Sequence, residues 1–180
     1  GLYLMRNCKN TVIRNNFIKR CGIIDGSGPS GNGKTVGLSL GGDNNLIEYN
    51  RIDSIGYIGL YFSGNDVIVK NNVISNFTMN KDDGGGIYVI SGKRQGRVFT
   101  NRSIISNIIF NGIGNGAGTP LTDFRSALGI YMDDGTTGVD LLNNFVSNCA
   151  EIGIFLHDAS FINVKNNLSY GSGIPFAMHQ

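Results

Sequence analysis

A chain of 180 residues that is 41% hydrophobic can bury one sizeable core, and a formal net charge of +2 is too small to argue for nucleic acid as a partner. With 27 glycines, 3 prolines and no tryptophan, the composition favours short strands and tight turns over long helices. Cys8, Cys21 and Cys149 have neither zinc-ribbon spacing nor the even count of a disulfide scaffold, and no apolar run approaches the roughly 18 residues of a membrane span.

In chain order, the first predicted strand is "GLYL" at Gly1, followed by "TVIRNNFI". The pairing recurs as "GLSL" at Gly37 with "LIEYNRI", "GLYF" at Gly59 with "VIVKNNVI", and "GIYV" at Gly86 with "VFTNRSI". It continues as "GIYM" at Gly129 with "VDLLNNFV" and "GIFL" at Gly153 with "INVKNNLS", and "PFAM" begins a further copy. The glycines are 36, 22, 27, 43 and 24 residues apart, so a unit of about 22 residues repeats, with insertions where the spacing widens. Period-2 alternation over short runs of about 3 to 5 residues, with isoleucine prominent, makes each unit a set of β-strands without helix. Coils of parallel strands stacked about 4.8 Å apart satisfy that pattern, and a leucine-rich repeat does not, because its fixed leucine framework is missing.

The "G-[IL]-x-[LFVM]" and "[VI]-x-x-N-N-x-[IV]" elements resemble those of the right-handed parallel β-helix repeat proteins, the pectate-lyase-like superfamily, over nearly all of the chain. The resemblance implies an all-β solenoid of about six to seven coils with loop insertions. Residues 1–180 are expected to form a single β-helix domain. Both ends cut through a coil, so the expectation is a piece of a longer β-helix lacking its caps, with self-association through its uncapped ends as one consequence. Relatives of this kind include glycoside hydrolases, polysaccharide lyases, epimerases, tailspikes and adhesins, so the fold alone does not select an activity.

Stacking turns equivalent positions into columns. Asn16, Asn50, Asn72, Asn144 and Asn167 align as a buried asparagine ladder, with Arg102 as the odd member of that column. Cys21, Ile55, Phe77 and Cys149 share a core column, and the two cysteines lie coils apart, too far to bridge. In "G-[IL]-x-[LFVM]" the second and fourth residues point inward and the third and fifth outward. The third-position column reads Tyr3, Ser39, Tyr61, Tyr88, Tyr131, Phe155 and Ala177, either a sheet-stabilising ladder or a platform for sugar rings. The next outward positions bring Asp133, Asp134, His157, Asp158 and His179 into one patch, containing both histidines of a chain whose residues 121–180 carry 6 acids against 2 cations.

Two carboxyl groups, one protonated and one ionised, are what glycosidic hydrolysis needs, and Asp133, Asp134 and Asp158, with His157 positioning them, are the expected catalytic set. Tyr61, Tyr88, Tyr131, Phe155 and His179 are expected to bind substrate, together with Lys93 and Arg94 from the following loop. The first expectation is thus a glycoside hydrolase acting on a polysaccharide or oligosaccharide, secreted or in the cell envelope, with no cofactor and no membrane insertion. The alternatives are a Ca²⁺-dependent lyase acting by β-elimination on uronates and a non-catalytic carbohydrate-binding or adhesive β-helix. In the lyase reading, Asp133 and Asp134 hold the ion and Lys93 or Arg94 is the base. The insertions after Ile24, Phe77 and Phe110 are expected to wall a cleft, with Asp82, Asp83, Asp123 and Arg125 within reach of the patch.

Overall fold

The computed structural model describes residues 1–4, 7–26, 31, 33, 35–91, 98–115 and 125–179. Every strand pairing in it is parallel, and the strands fall into three sheets of seven, six and six strands. The first sheet holds Leu2–Leu4, Leu38–Gly41, Leu60–Ser63, Gly84–Ile90, Ala127–Asp133, Ile152–His157 and Ile174–His179. The second holds Val12–Arg14, Leu46–Glu48, Ile68–Lys70, Arg102–Ile105, Thr137–Leu142 and Ser160–Lys165. The third holds Phe17–Cys21, Arg51–Ile55, Val73–Phe77, Ile108–Gly112, Phe145–Cys149 and Leu168–Tyr170. The chain visits the sheets in rotation, one strand of each per coil, which makes six full coils and the opening strand of a seventh.

The period-2 pattern fixes which face is dry. Leu38, Leu40, Leu60, Phe62, Ile87, Val89, Ile130 and Met132 in the first sheet meet Ile47, Val69, Ile104 and Leu141 of the second and Ile52, Ile74, Ile109 and Val146 of the third in one continuous core. Each such side chain contributes about 1.5–3 kcal/mol on burial. The exposed large apolar side chains include Tyr3, Val12 and Phe17 in the first coil and Phe161, Leu168 and Met178 in the last two.

Both repeated motifs have a geometric cause. A Cβ on Gly59 would lie 2.5 Å from the Gly86 carbonyl oxygen, and one on Gly129 would lie 2.5 Å from that of Gly153, so the opening glycine is set by the approach of the next coil. In the "N-N" dipeptide the two residues do different work. The first adopts the left-handed conformation at the bend, as Asn15, Asn71, Asn143 and Asn166 do with φ of 54–58°. The second turns inward, where its side-chain oxygen accepts from the preceding ladder asparagine and its Nδ2 donates to the next one and to main-chain carbonyls, as Asn50 does between Asn16 and Asn72.

Arg102 does not belong to that ladder. It pairs with Val139 at the start of the second sheet, and the ladder position of its coil is filled by Asn107, which accepts from Asn72 and donates to Asn144 Oδ1. The repeat in that coil is therefore carried by "IISNIIF", five residues later than the alignment on "VFTNRSI" places it. The cysteine column holds: Cys21 pairs with Ile55, and Gly112 pairs with both Phe77 and Cys149. All three thiols are free, and burial pushes the Cys149 thiol up to about 11, which keeps it unreactive.

Candidate functional site

The first sheet's outward column has the expected register at every step. Tyr3 pairs with Ser39, Ser39 with Tyr61, Tyr61 with Tyr88, Tyr88 with Tyr131, Tyr131 with Phe155, and Phe155 with Ala177. Ring centroids are 6.2 Å apart for Tyr61 and Tyr88, 5.1 Å for Tyr88 and Tyr131 in an edge-on contact, and 5.4 Å for Tyr131 and Phe155, which stack. The column is not uniformly open. Tyr131 is only 5% exposed and packs with Leu128 and Ile152 in a second, smaller apolar cluster.

At one end of this column lies a groove of about 310 Å³. Tyr3, Ser39, Tyr61 and Tyr88 floor it, while Tyr57, Ile58 and Val36 contribute to its sides. Tyr57 links two insertions: its hydroxyl donates to the Asp83 carbonyl and accepts from the Gly31 amide, both at 2.9 Å. Burial, outweighing the Gly31 bond, raises the Tyr57 phenol to about 12, so it stays protonated as a donor. Sequence reasoning passed over Tyr57, because "IGYIGL" reads as ordinary core.

Tyr88 joins the groove to the acidic patch. Its hydroxyl donates to Asp133 Oδ2 at 2.6 Å, and Asp133 Oδ1 lies 2.8 Å from His157 Nδ1. An ionised carboxylate only accepts, so Nδ1 carries the hydrogen of this bond. Nε2 lies 4.0 Å from Asp158 Oδ2, and Nδ1 is also 3.6 Å from Asp134 Oδ1. His157 stacks between Phe155 and His179, with centroids 5.5 Å away on each side. Asp133 is nearly buried at 9% exposure, whereas the Asp134 side chain is 44% exposed. Asp158 has a left-handed backbone, φ 47°, tolerable for Asp at a strand exit.

Asp83 contributes a carboxyl group of different character. Desolvation by the surrounding protein, and then the charges of Asp133, Asp82 and Glu151, raise it to about 6, with His157 opposing. The residue is exposed, so solvent screens part of this, but three neighbouring carboxylates all push in the same direction. Burial and the Asp133 charge likewise raise the phenols of Tyr88 and Tyr131, keeping both neutral.

Of the residues expected at the site, Asp133, Asp134, His157, Asp158 and His179 do form one patch, with Tyr88, Tyr131 and Phe155 beside it. Tyr61 lines the groove. Lys93, Arg94 and Asp123 lie outside the described residues. Arg125 is exposed, Asp82 is buried, and Asp83 is the insertion residue whose charge is coupled to Asp133.

Ligand atoms of Asp133, Asp134 and His157 lie within 4.8 Å of one another, a spacing that could hold a cation. Two carboxylate oxygens and an imidazole nitrogen fit a first-row transition ion better than Ca²⁺, which takes six to eight oxygens.

Stacked parallel sheets visited in rotation define a β-helix solenoid, with a polar patch on the outer face of one sheet. The family model for the right handed beta helix region matches residues 1–125, and the chain belongs to that family. No curated protein and no solved structure matches it.

Proposed function

We propose that the protein is a carbohydrate-active enzyme that hydrolyses glycosidic bonds in a glycan lying along the first sheet. The observation that carries this reading is the Tyr88 to Asp133 hydrogen bond, which joins an aromatic groove to a carboxylate and histidine cluster. Aromatic faces pack on the apolar faces of sugar rings, and groups for proton transfer stand where such a chain would end. Asp83, with a pKa raised to about 6, keeps its proton up to about pH 6 and is assigned as the general acid. Asp134, the more exposed of the adjacent pair, is assigned as the ionised nucleophile or base. Asp133 receives hydrogen bonds from Tyr88 and His157, and its role is to hold His157 in one tautomer and orientation.

The test is a polysaccharide panel assayed for new reducing ends with Asp83→Asn, Asp133→Asn and Asp134→Asn variants that melt at the wild-type temperature. Loss of about 10²- to 10⁴-fold in rate is expected for each. Undiminished hydrolysis in all three would sink the assignment. The close spacing of Asp133, Asp134 and His157 also supports a second reading, elimination assisted by a bound cation. Ultraviolet-absorbing unsaturated products, lost on chelation, would select it.

A further inference from the structure

We infer that Ser39 leaves a gap in the aromatic column that is a subsite for one sugar ring, seated between Tyr3 and Tyr61 as a terminal or branch residue with equatorial hydroxyls. The inference rests on the groove being a glycan site. From Tyr61 to Phe155 the outward column is aromatic at every rung, and the centroids of successive rings are 5.1 to 6.2 Å apart. Tyr3 is aromatic again, and Ser39 alone separates it from Tyr61, pairing with both. Two rungs of parallel strand set the Tyr3 and Tyr61 backbones about 9.6 Å apart. One ring placed midway meets each tyrosine at about 4.8 Å, inside the range of about 4.5–7 Å over which aromatic rings pack.

The lining suits such a guest. Ser39 is 7% exposed, and its hydroxyl opens on the groove with no hydrogen-bond partner among the described residues. A hydroxyl so nearly buried is ordinarily paired, and a sugar hydroxyl can both donate to it and accept from it. Val36 and Ile58 add apolar surface at the sides. The groove, at about 310 Å³, is at the small end of ligand sites, which run from about 300 to 1,000 Å³, so it suits a ring at the end of a chain or on a branch of it. A pyranose chair carries its equatorial bonds close to its own plane and its axial bonds along the normal. Packed between two aromatic faces it tolerates only C–H groups at its axial positions, because an axial hydroxyl pressed on a ring is desolvated without a partner. Its equatorial linkage leaves sideways, across the column, so the ring enters as a terminal residue or a branch of a glycan lying along the sheet.

Titration of three methyl glycosides, followed by NMR chemical-shift perturbation, tests this. Methyl β-glucoside has every hydroxyl equatorial, whereas methyl β-galactoside and methyl β-mannoside each carry one axial hydroxyl. The glucoside is expected to bind at least about tenfold tighter than either of the others. Ser39→Ala keeps the gap and removes the hydroxyl, and should weaken the glucoside roughly threefold to tenfold. Tyr61→Ala removes one wall and should weaken it by a similar factor, roughly threefold to tenfold. Ser39→Tyr continues the aromatic column through the gap and should abolish binding while melting at or above the wild-type temperature; if it fails to fold, the two alanine variants carry the test. A galactoside or mannoside that binds as tightly as the glucoside, no binding by any of the three, or glucoside binding unchanged in a folded Ser39 variant overturns the inference. Reducing-end release from the polysaccharide panel is read separately. Cleavage by the wild type without binding of any glycoside removes the subsite and leaves the hydrolase reading standing. Glucoside binding without cleavage leaves the subsite standing and removes the hydrolase assignment.

Discussion

Two ladders run along this molecule, and they treat polar atoms in opposite ways. Inside the bend between the second and third sheets, Asn50, Asn72, Asn107 and Asn144 each donate through Nδ2 to main-chain carbonyls and to the next asparagine, so their hydrogen bonding is completed within the protein. On the outer face of the first sheet the column changes chemistry as it goes, from tyrosines over a groove to a carboxylate, an imidazole and further carboxylates. There the bonds run between neighbours but leave capacity facing outward: His157 Nε2 has Asp158 only at 4.0 Å, and the Asp134 side chain is nearly half exposed. Repetition with internal satisfaction marks scaffold, whereas repetition broken by groups with acceptors to spare marks chemistry.

The sharpest way to break the scaffold side is Asn107→Leu. Asn107 is fully buried; its oxygen accepts from the Asn72 main-chain and side-chain N–H groups, and its Nδ2 donates to the Val69 and Ile105 carbonyls. Leucine matches the volume and satisfies none of these, leaving a buried N–H and carbonyls with fewer donors. A loss of roughly 3 kcal/mol in urea unfolding is expected, with turnover per folded molecule unchanged. A change in turnover at full folding would mean that the ladder reaches the outer face.

Tyr88→Phe tests the site side with the smallest edit available. It keeps the ring between Tyr61 and Tyr131 and removes only the hydroxyl that donates to Asp133. Turnover should fall about tenfold, the worth of one charge-assisted hydrogen bond, while affinity for the glycan changes little. A loss of affinity with turnover unchanged would assign Tyr88 to binding alone.

Asp83 gives the comparison a pH axis. Its carboxyl is raised from 3.8 to about 6, so between those values the folded protein holds a proton that the unfolded chain releases. Its contribution to stability therefore declines as pH rises through that window and is fully lost above about 6. Asp83→Asn removes the decline, and the difference in melting temperature between the two proteins should open only above about pH 4. If Asp83 is the general acid, kcat/KM should fall above about pH 6 in the wild type, and that limb should disappear in the variant. A limb unchanged in Asp83→Asn would move the acid role to another residue.

The coil, its core faces and the outward column were legible because each is a period written into neighbouring residues, and parallel stacking adds no freedom once the glycine is fixed. Asp133, Asp134, His157 and Asp158 could be gathered on paper for that reason. Tyr57 and the weight of Asp83 could not, since they come from insertions whose paths no repeat dictates and whose pairing depends on a hydroxyl bridging two loops. The coil with the longest spacing also misled the alignment: "VFTNRSI" offers an Asn and an Ile at nearly the right interval, while the true ladder residue, Asn107, follows a serine in place of the usual first asparagine.

Arg102, the residue that alignment placed in the ladder, yields the smallest and most diagnostic change. It stands in a column with Val139, is 1% exposed, and bonds through Nη2 to the Thr137 carbonyl, with its guanidinium 5.2 Å from the Phe99 ring. Its Nε and Nη1 have no hydrogen-bond partner among the described residues, and burial lowers its pKa to about 10, so it is still charged at neutral pH. A buried charge with two unmet donors costs more in desolvation than one carbonyl and one aromatic face return. Arg102→Met, which keeps the stem and drops the charge, should therefore be neutral or stabilising by up to about 1 kcal/mol in urea unfolding. Arg102→Lys, which keeps the charge but loses the planar contact with Phe99, should be the less stable of the two. A loss above about 1 kcal/mol in Arg102→Met would mean that Nε and Nη1 are bonded in the folded protein. Arg102 would then be a satisfied scaffold group, like the asparagines it was first aligned with.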